Sequence, residues 1–137
     1  MQLMAKLLDK DRLLAMEMCI IPSATLAQAV ASTGVDIIIV DREHAATNNE
    51  TLHAMIMATQ GTDCAPLVRV IDHNPANVKL ALDLGAEGIV FPLVRTAEEA
   101  AACVASMRYP PKGVRGWGAF VAHSRWGVPP MDYLPNY

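Results

Sequence analysis

Apolar positions in this chain follow two rhythms that alternate along its length. "VDIIIV" (Val35 to Val40) is an unbroken, largely β-branched run, as expected of a strand covered on both faces in a parallel sheet. "LAMEMCII" (Leu14 to Ile21), "PLVRV" (Pro66 to Val70) and "EGIVFPLV" (Glu87 to Val94) predict three more strands. Between them, apolar residues recur at helical spacing. Leu26, Ala29, Val30 and Thr33 mark one helix, opened by Pro22 and Ser23 and closed by Gly34. Leu52, Met55, Ile56 and Thr59 mark a second, closed by Gly61. "NPANVKLALDLG" predicts a third, with Asn74 as cap, Pro75 at the first helical position and Gly85 past the last turn. Ala100, Cys103, Val104 and Met107 line a fourth. Thr47 with Glu50, and Thr96 with Glu99, have the T-x-x-E spacing of a capping box. Strand–helix pairs repeating every ~20 to 30 residues are what βαβ crossovers produce. The expectation is one α/β domain over residues 1–137 with four parallel βα units.

After Tyr109 the periodicity stops. The 109–137 segment is rich in Gly, Pro and aromatic residues and predicts a long loop with at most a short helix. Trp117, Phe120, Trp126 and Tyr133 are costly to leave in water, so an ordered segment is expected, of the kind that binds a ligand or forms a lid.

Composition narrows the function classes. The 137 residues are 53% hydrophobic with a net charge of −3, and the 11 Lys and Arg are scattered, which is not the footprint of a nucleic-acid binder. Cys19, Cys64 and Cys103 have neither zinc-ligand nor CxxC spacing and read as reduced, buried thiols of a cytoplasmic protein. Glu17 interrupts the first apolar stretch, no small-residue cleavage site follows it, and no run reaches membrane-spanning length. A GxGxxG after a strand, a GxxxxGK[ST] and a GxSxG are all missing.

In parallel α/β folds, ligands gather beyond the carboxyl ends of the strands. The second strand ends in Asp41, Arg42, Glu43 and His44, and the third strand carries Arg69. His44 is the natural acid–base candidate. Arg69, in an otherwise apolar strand, requires an anionic partner. Either a protein carboxylate such as Asp41 or Glu43, or a substrate carboxylate, would serve. Asp83 lies near the C-terminal end of its helix, against the helix dipole, so a compensating group is expected, such as a histidine. His53, His73 and His123 lack such context and read as surface residues.

"GVDIIIVDREHA", "LVRV", "VKLALDLGAEGIVFPLVRTAEEA" and "RYPPKGVRGWG" together resemble the HpcH/HpaI family of metal-dependent class II pyruvate aldolases, from about Ala15 to Tyr133. The resemblance implies a TIM (β/α)8 barrel, of which this chain supplies the N-terminal half. Eight βα units take roughly 250 residues. It implies aldol cleavage or formation of a 4-hydroxy-2-oxo acid through a pyruvate enolate. The partners are then pyruvate and an aldehyde, the cofactor is Mg²⁺, Mn²⁺ or Co²⁺, and the enzyme is a homo-oligomer. It further implies that His44 is the proton acceptor, that Asp83 raises its basicity, and that Arg69 binds the pyruvyl oxygen. Asp41 and Glu43 would sit beside the metal through water, and Arg42 stands where the family often has a small or apolar residue. The direct Glu and Asp ligands of the metal are expected on later strands. Three accounts of the chain follow: part of a full aldolase, half of a barrel closed by a partner chain, or a non-catalytic oxo-acid binder.

Overall fold

The computed structural model describes residues 2–118 and 122–134. Four strands, β1 (Met16–Cys19), β2 (Ile37–Asp41), β3 (Ala65–Arg69) and β4 (Gly88–Val90), form one parallel sheet in the order β1-β2-β3-β4. Helices α2 (Ala24–Ala31), α3 (Asn49–Met57), α4 (Pro75–Asp83) and α5 (Ala97–Met107) alternate with them. The four βα units predicted from the sequence are present, in a partial α/β barrel.

Side chains alternate along each strand, which divides the core in two. Ile38, Val40 and Val68 face the helices and pack with Ala27, Ala31, Leu52, Met55, Ile56 and Ala81. Ile37, Ile39 and Ala65 face the other way and are covered by Leu3. Leu3 belongs to α1 (Gln2–Leu8), a helix the strand-and-helix rhythm did not predict. Charge holds it in place: buried Lys6 reaches Asp36 at 3.1 Å and Asp63 at 3.2 Å, and Arg12 also pairs with Asp36. The hydrogen bond from the Ala15 amide, reinforced by both cations, keeps the Asp36 carboxyl below the usual range.

Several local expectations shift. β1 and β4 are shorter than the apolar runs that contain them. Met16 and Met18 are exposed on the edge strand β1, and Ile20, Ile21, Leu93 and Val94 are exposed beyond the strand ends. The cap of α3 is Asn48, whose side chain accepts from the Thr51 amide, while Thr47 is buried. Thr96 does cap α5, and Glu99 reaches back to the Arg95 amide. α2 buries Ala27 and Ala31 and leaves Leu26 exposed, and α5 buries Cys103 and Ser106 and leaves Ala100 and Val104 exposed. In Ala-rich helices several stripes are about equally apolar, and the smallest side chains allow the closest approach to the sheet. All three cysteines are free and buried.

The segment after Tyr109 contains, among its described residues, a 3₁₀ turn (Ser124–Trp126) and a short α6 (Pro130–Tyr133). Tyr109, Trp117 and Tyr133 pack ring on ring, and burial pushes the Tyr109 phenol up to about 12. Phe120 lies outside the described residues. Arg125 donates to the Ile56 carbonyl at 3.0 Å and to the Thr59 hydroxyl at 2.8 Å, so a cation sits at the C-terminal end of α3. Its side chain passes over Gly85, where a Cβ would stand 2.5 Å from Arg125 Cδ. Gly113 is equally constrained: a Cβ there would meet the Ala105 carbonyl oxygen at 2.2 Å and that of Arg108 at 2.4 Å. Gly113→Ala should cost ~2 kcal/mol through overpacking against backbone that cannot move aside. It would be read as a fall of several degrees in the thermal midpoint.

Candidate functional site

Parallel register sets the centre of the site. Asp41 and Arg69 are Cα partners at the exit ends of β2 and β3, so their side chains leave the sheet together on the face that carries Ile39 and Leu67. Arg69 Nε donates to Asp41 Oδ1 and Nη2 to Oδ2, each at 2.9 Å, in a side-on bidentate pair. Glu43 Oε2 lies 3.2 Å from Nη1. Asp41 is fully buried, and the Arg69 hydrogen bonds hold its carboxyl below the usual carboxylate range. The same pair pushes the Arg69 guanidinium up. Of the two partners the sequence left open for Arg69, the protein carboxylate is the one observed.

This arrangement still leaves the guanidinium donors. Arg carries five N–H bonds, and the contacts to Asp41 and Glu43 use three of them. Two N–H bonds are left over, on a side chain 23% exposed. Asp41 has no such reserve. Its Oδ1 also accepts from the Glu43 amide at 2.9 Å and its Oδ2 from the His44 amide at 3.3 Å, so all four lone-pair directions are occupied. In this chain its oxygens are engaged in fixing Arg69 and the loop that follows.

His44 stands at the rim, its side chain 71% exposed, with Nε2 3.6 Å from Glu43 Oε1. Glu43 thus lies between the imidazole and the guanidinium. Arg42, the departure noted in the motif, donates its amide to the Arg69 carbonyl at 2.9 Å and leaves its buried Nε without a partner.

Asp83 is elsewhere. α4 runs back antiparallel to the strands, and Asp83 is its last residue, ~12 Å of helix from Pro75. It belongs to the end of the sheet where the strands begin, and Arg115 Nη2 donates to it at 2.7 Å. The compensation expected for an acid at a helix C-terminus is present, but it comes from Arg115. Within the chain, Asp83 does not meet His44 and Arg69. The carboxylate beside His44 is Glu43, which immediate adjacency in D-x-E-H could have suggested. The tail follows the same route, with Val114 to Gly116 along Pro75 and Lys79, and Arg125 against Gly85.

Two histidines read as surface residues are half-buried instead. His73 Nε2 lies 2.5 Å from the Pro92 carbonyl oxygen, and His123 Nδ1 lies 2.9 Å from that of Val128. Among the described residues, no group of three or more His, Cys, Asp or Glu could hold a metal ion. The residues present therefore do not fit a complete divalent-metal site. No described helix is long and apolar enough to cross a membrane.

Comparison with known proteins accords with this picture. Residues 18–128 match the family model described as HpcH/HpaI aldolase/citrate lyase. The chain is 43% identical over 109 residues to a hydroxypyruvate/pyruvate aldolase of Chromohalobacter salexigens, covering 79% of this chain and 42% of that one. It is 40% identical to a 4-hydroxy-2-oxo-heptane-1,7-dioate aldolase of Salmonella arizonae, covering 79% of this chain and 41% of that one. Among solved structures, an HpcH/HpaI aldolase/citrate lyase family protein from Burkholderia cenocepacia superposes with a TM-score of 0.88 at 32% identity, over 97% of this chain and 54% of the other. The chain spans about two fifths of the length of the curated relatives it matches. A four-stranded parallel sheet with the D-x-E-H cluster and an arginine at its strand exits, matched over most of its length by these proteins, belongs to the HpcH/HpaI aldolase/citrate lyase family.

Proposed function

We propose that this chain supplies the oxo-acid-binding and proton-transfer part of an aldolase site that makes or breaks a carbon–carbon bond beside a pyruvate enolate. One observation carries the reading: a guanidinium fixed by two carboxylates at the strand exits keeps uncommitted N–H groups, and one of those carboxylates, Glu43, has an imidazole beside it. In cleavage, His44 takes the C4 hydroxyl proton of a 4-hydroxy-2-oxo acid. The C3–C4 bond breaks, the aldehyde leaves, and the electron pair passes into the C2–C3 enolate. Arg69 binds the C2 oxygen, where negative charge grows, and its preorganised N–H groups are most useful at that moment. Glu43 offsets the positive charge that His44 acquires. The proton held on His44 is returned, through water, to the enolate at C3, which gives pyruvate and restores the neutral imidazole. Relatives named pyruvate, hydroxypyruvate and heptanedioate aldolases support the reaction class. The divalent ion implied by the resemblance finds no ligand set among the described residues. The steps assigned here are accordingly those of the chain's own side chains, and any ion serving the site draws its ligands from the rest of a closed eight-stranded barrel.

His44→Ala should lower pyruvate release by ~10²-fold or more, the usual weight of a general base, while the KM for the oxo acid changes little. Steady-state assay of pyruvate release checks both. Unchanged turnover would remove His44 from the mechanism.

A second reading, a non-catalytic binder of oxo acids, draws on the same uncommitted N–H groups of Arg69, with no metal ligand set among the described residues. Calorimetry with pyruvate or oxamate in EDTA separates the two. Binding without turnover, with or without added divalent ion, favours the binder.

A further inference from the structure

One backbone feature at the strand exits is not absorbed by the proposed mechanism. Leu93, three residues beyond Val90, is the only described non-glycine residue with positive φ, at 52°. A branched side chain in the left-handed region is strained. Leu93 offsets none of this strain by burial, being 69% exposed. The loop around it is braced on both sides. The carbonyl oxygen of Pro92 can only accept, so His73 Nε2 carries the proton it donates there. The His73 ring also packs edge-on against Phe91, centroids 5.9 Å apart. On the far side, the Arg95 amide donates to Glu99 at 2.7 Å and Thr96 caps α5. Two neighbouring βα loops are thus tied together so that an apolar side chain stands out in a strained conformation. Val90, which anchors the segment, is the register partner of Arg69.

We propose that Leu93 is a specificity-determining wall of the site, contacting the carbon chain of the substrate beyond its oxo-acid head, and that His73 is a positioning residue that holds Leu93 there. The inference rests on the reading of Arg69 as the oxo-acid anchor. It assigns to the site a substrate class, oxo acids with a methylene or alkyl tail. Strain kept at an exposed position, with bracing hydrogen bonds to maintain it, is the pattern of a preorganised contact.

The test uses the 137-residue chain, methyl-labelled at leucine, with pyruvate and 2-oxooctanoate as probes observed by NMR. Both acids are expected to shift the Arg69 Nε–H resonance, and only 2-oxooctanoate should shift the Leu93 methyls. Leu93→Ala should weaken 2-oxooctanoate ~10-fold, the discrimination typical of apolar pocket contacts, and leave pyruvate unchanged. Leu93→Gly, which also relieves the positive φ, should lose the same discrimination without any fall in thermal midpoint. His73→Ala should behave like Leu93→Ala, and His73→Gln, whose amide can still donate to Pro92, should restore tail selectivity. A response of Arg69 with silent Leu93 methyls, or equal weakening of both acids by Leu93→Ala, overturns the inference and leaves the functional reading standing. Silence of Arg69 toward both acids defeats the functional reading, and this inference with it.

Discussion

Arg69→Lys should lower the turnover of 4-hydroxy-2-oxo acid cleavage by ~10²–10³-fold, the loss typical of removing one preorganised donor to a developing oxyanion, although formal charge is conserved. Arg69 performs two tasks at once. Its side edge is bound to Asp41 through Nε and Nη2, Nη1 faces Glu43, and two N–H bonds are left in the plane those contacts define. A lysine ammonium has three donors about a single point on a flexible stem. Where it satisfies Asp41 and Glu43, little remains aimed at a substrate oxygen. Where it turns to the substrate, buried Asp41 is left unpaired. The loss should therefore fall mainly on kcat, with a smaller rise in KM, because the interaction strengthens as the enolate forms. The steady-state constants for pyruvate release decide this, with circular dichroism confirming that the variant is folded. A lysine variant with native kcat would mean that charge alone suffices and that the clamp has no catalytic value.

Much of this arrangement was legible in the sequence, and each exception has its own physical cause. The β-branched run before Asp41 could only be a buried strand, and the cap and terminator residues around α4 placed it correctly. Arg69 in an apolar strand announced that an anion was near. Parallel strands already require each crossover helix to return antiparallel to them, so the remote end of α4 was legible, and only the partner of Asp83 was not. A helix antiparallel to its strands carries its C-terminal residue to the opposite end of the sheet, so Asp83 fits the motif and still pairs with Arg115. α1 was missed because its anchoring is ionic as well as apolar, through Lys6 and Asp36, and leaves no clean period. The faces of α2 and α5 were missed because Ala-rich stripes are nearly degenerate in hydropathy and are distinguished only by how closely they let the backbone approach the sheet.

Asp41→Ala should destabilise the chain by about 3 kcal/mol, the range for breaking a buried ion pair from one side, with the partial exposure of Arg69 keeping it at the lower end. Asp41 is wholly buried and its carboxylate receives two N–H groups from Arg69 and two from the backbone of Glu43 and His44. Removal thus frees the guanidinium and unties the loop that presents His44. The effect must also depend on pH. The Asp41 carboxyl is held below its ordinary range in the folded protein, chiefly by Arg69, so the unfolded chain binds the proton more readily. That stabilisation is complete above the unfolded carboxyl value of about 4 and is lost as pH falls through the lower folded value. Wild type and Asp41→Ala should therefore differ most at neutral pH and converge in acid. Asp36, Asp72, Glu98 and Glu99, also held low, are common to both proteins and leave the difference between them unchanged. Urea unfolding midpoints at pH 7 and pH 3 measure the gap. A gap of the same size at both would show that Asp41 stabilises the strand exits through packing, without its charge.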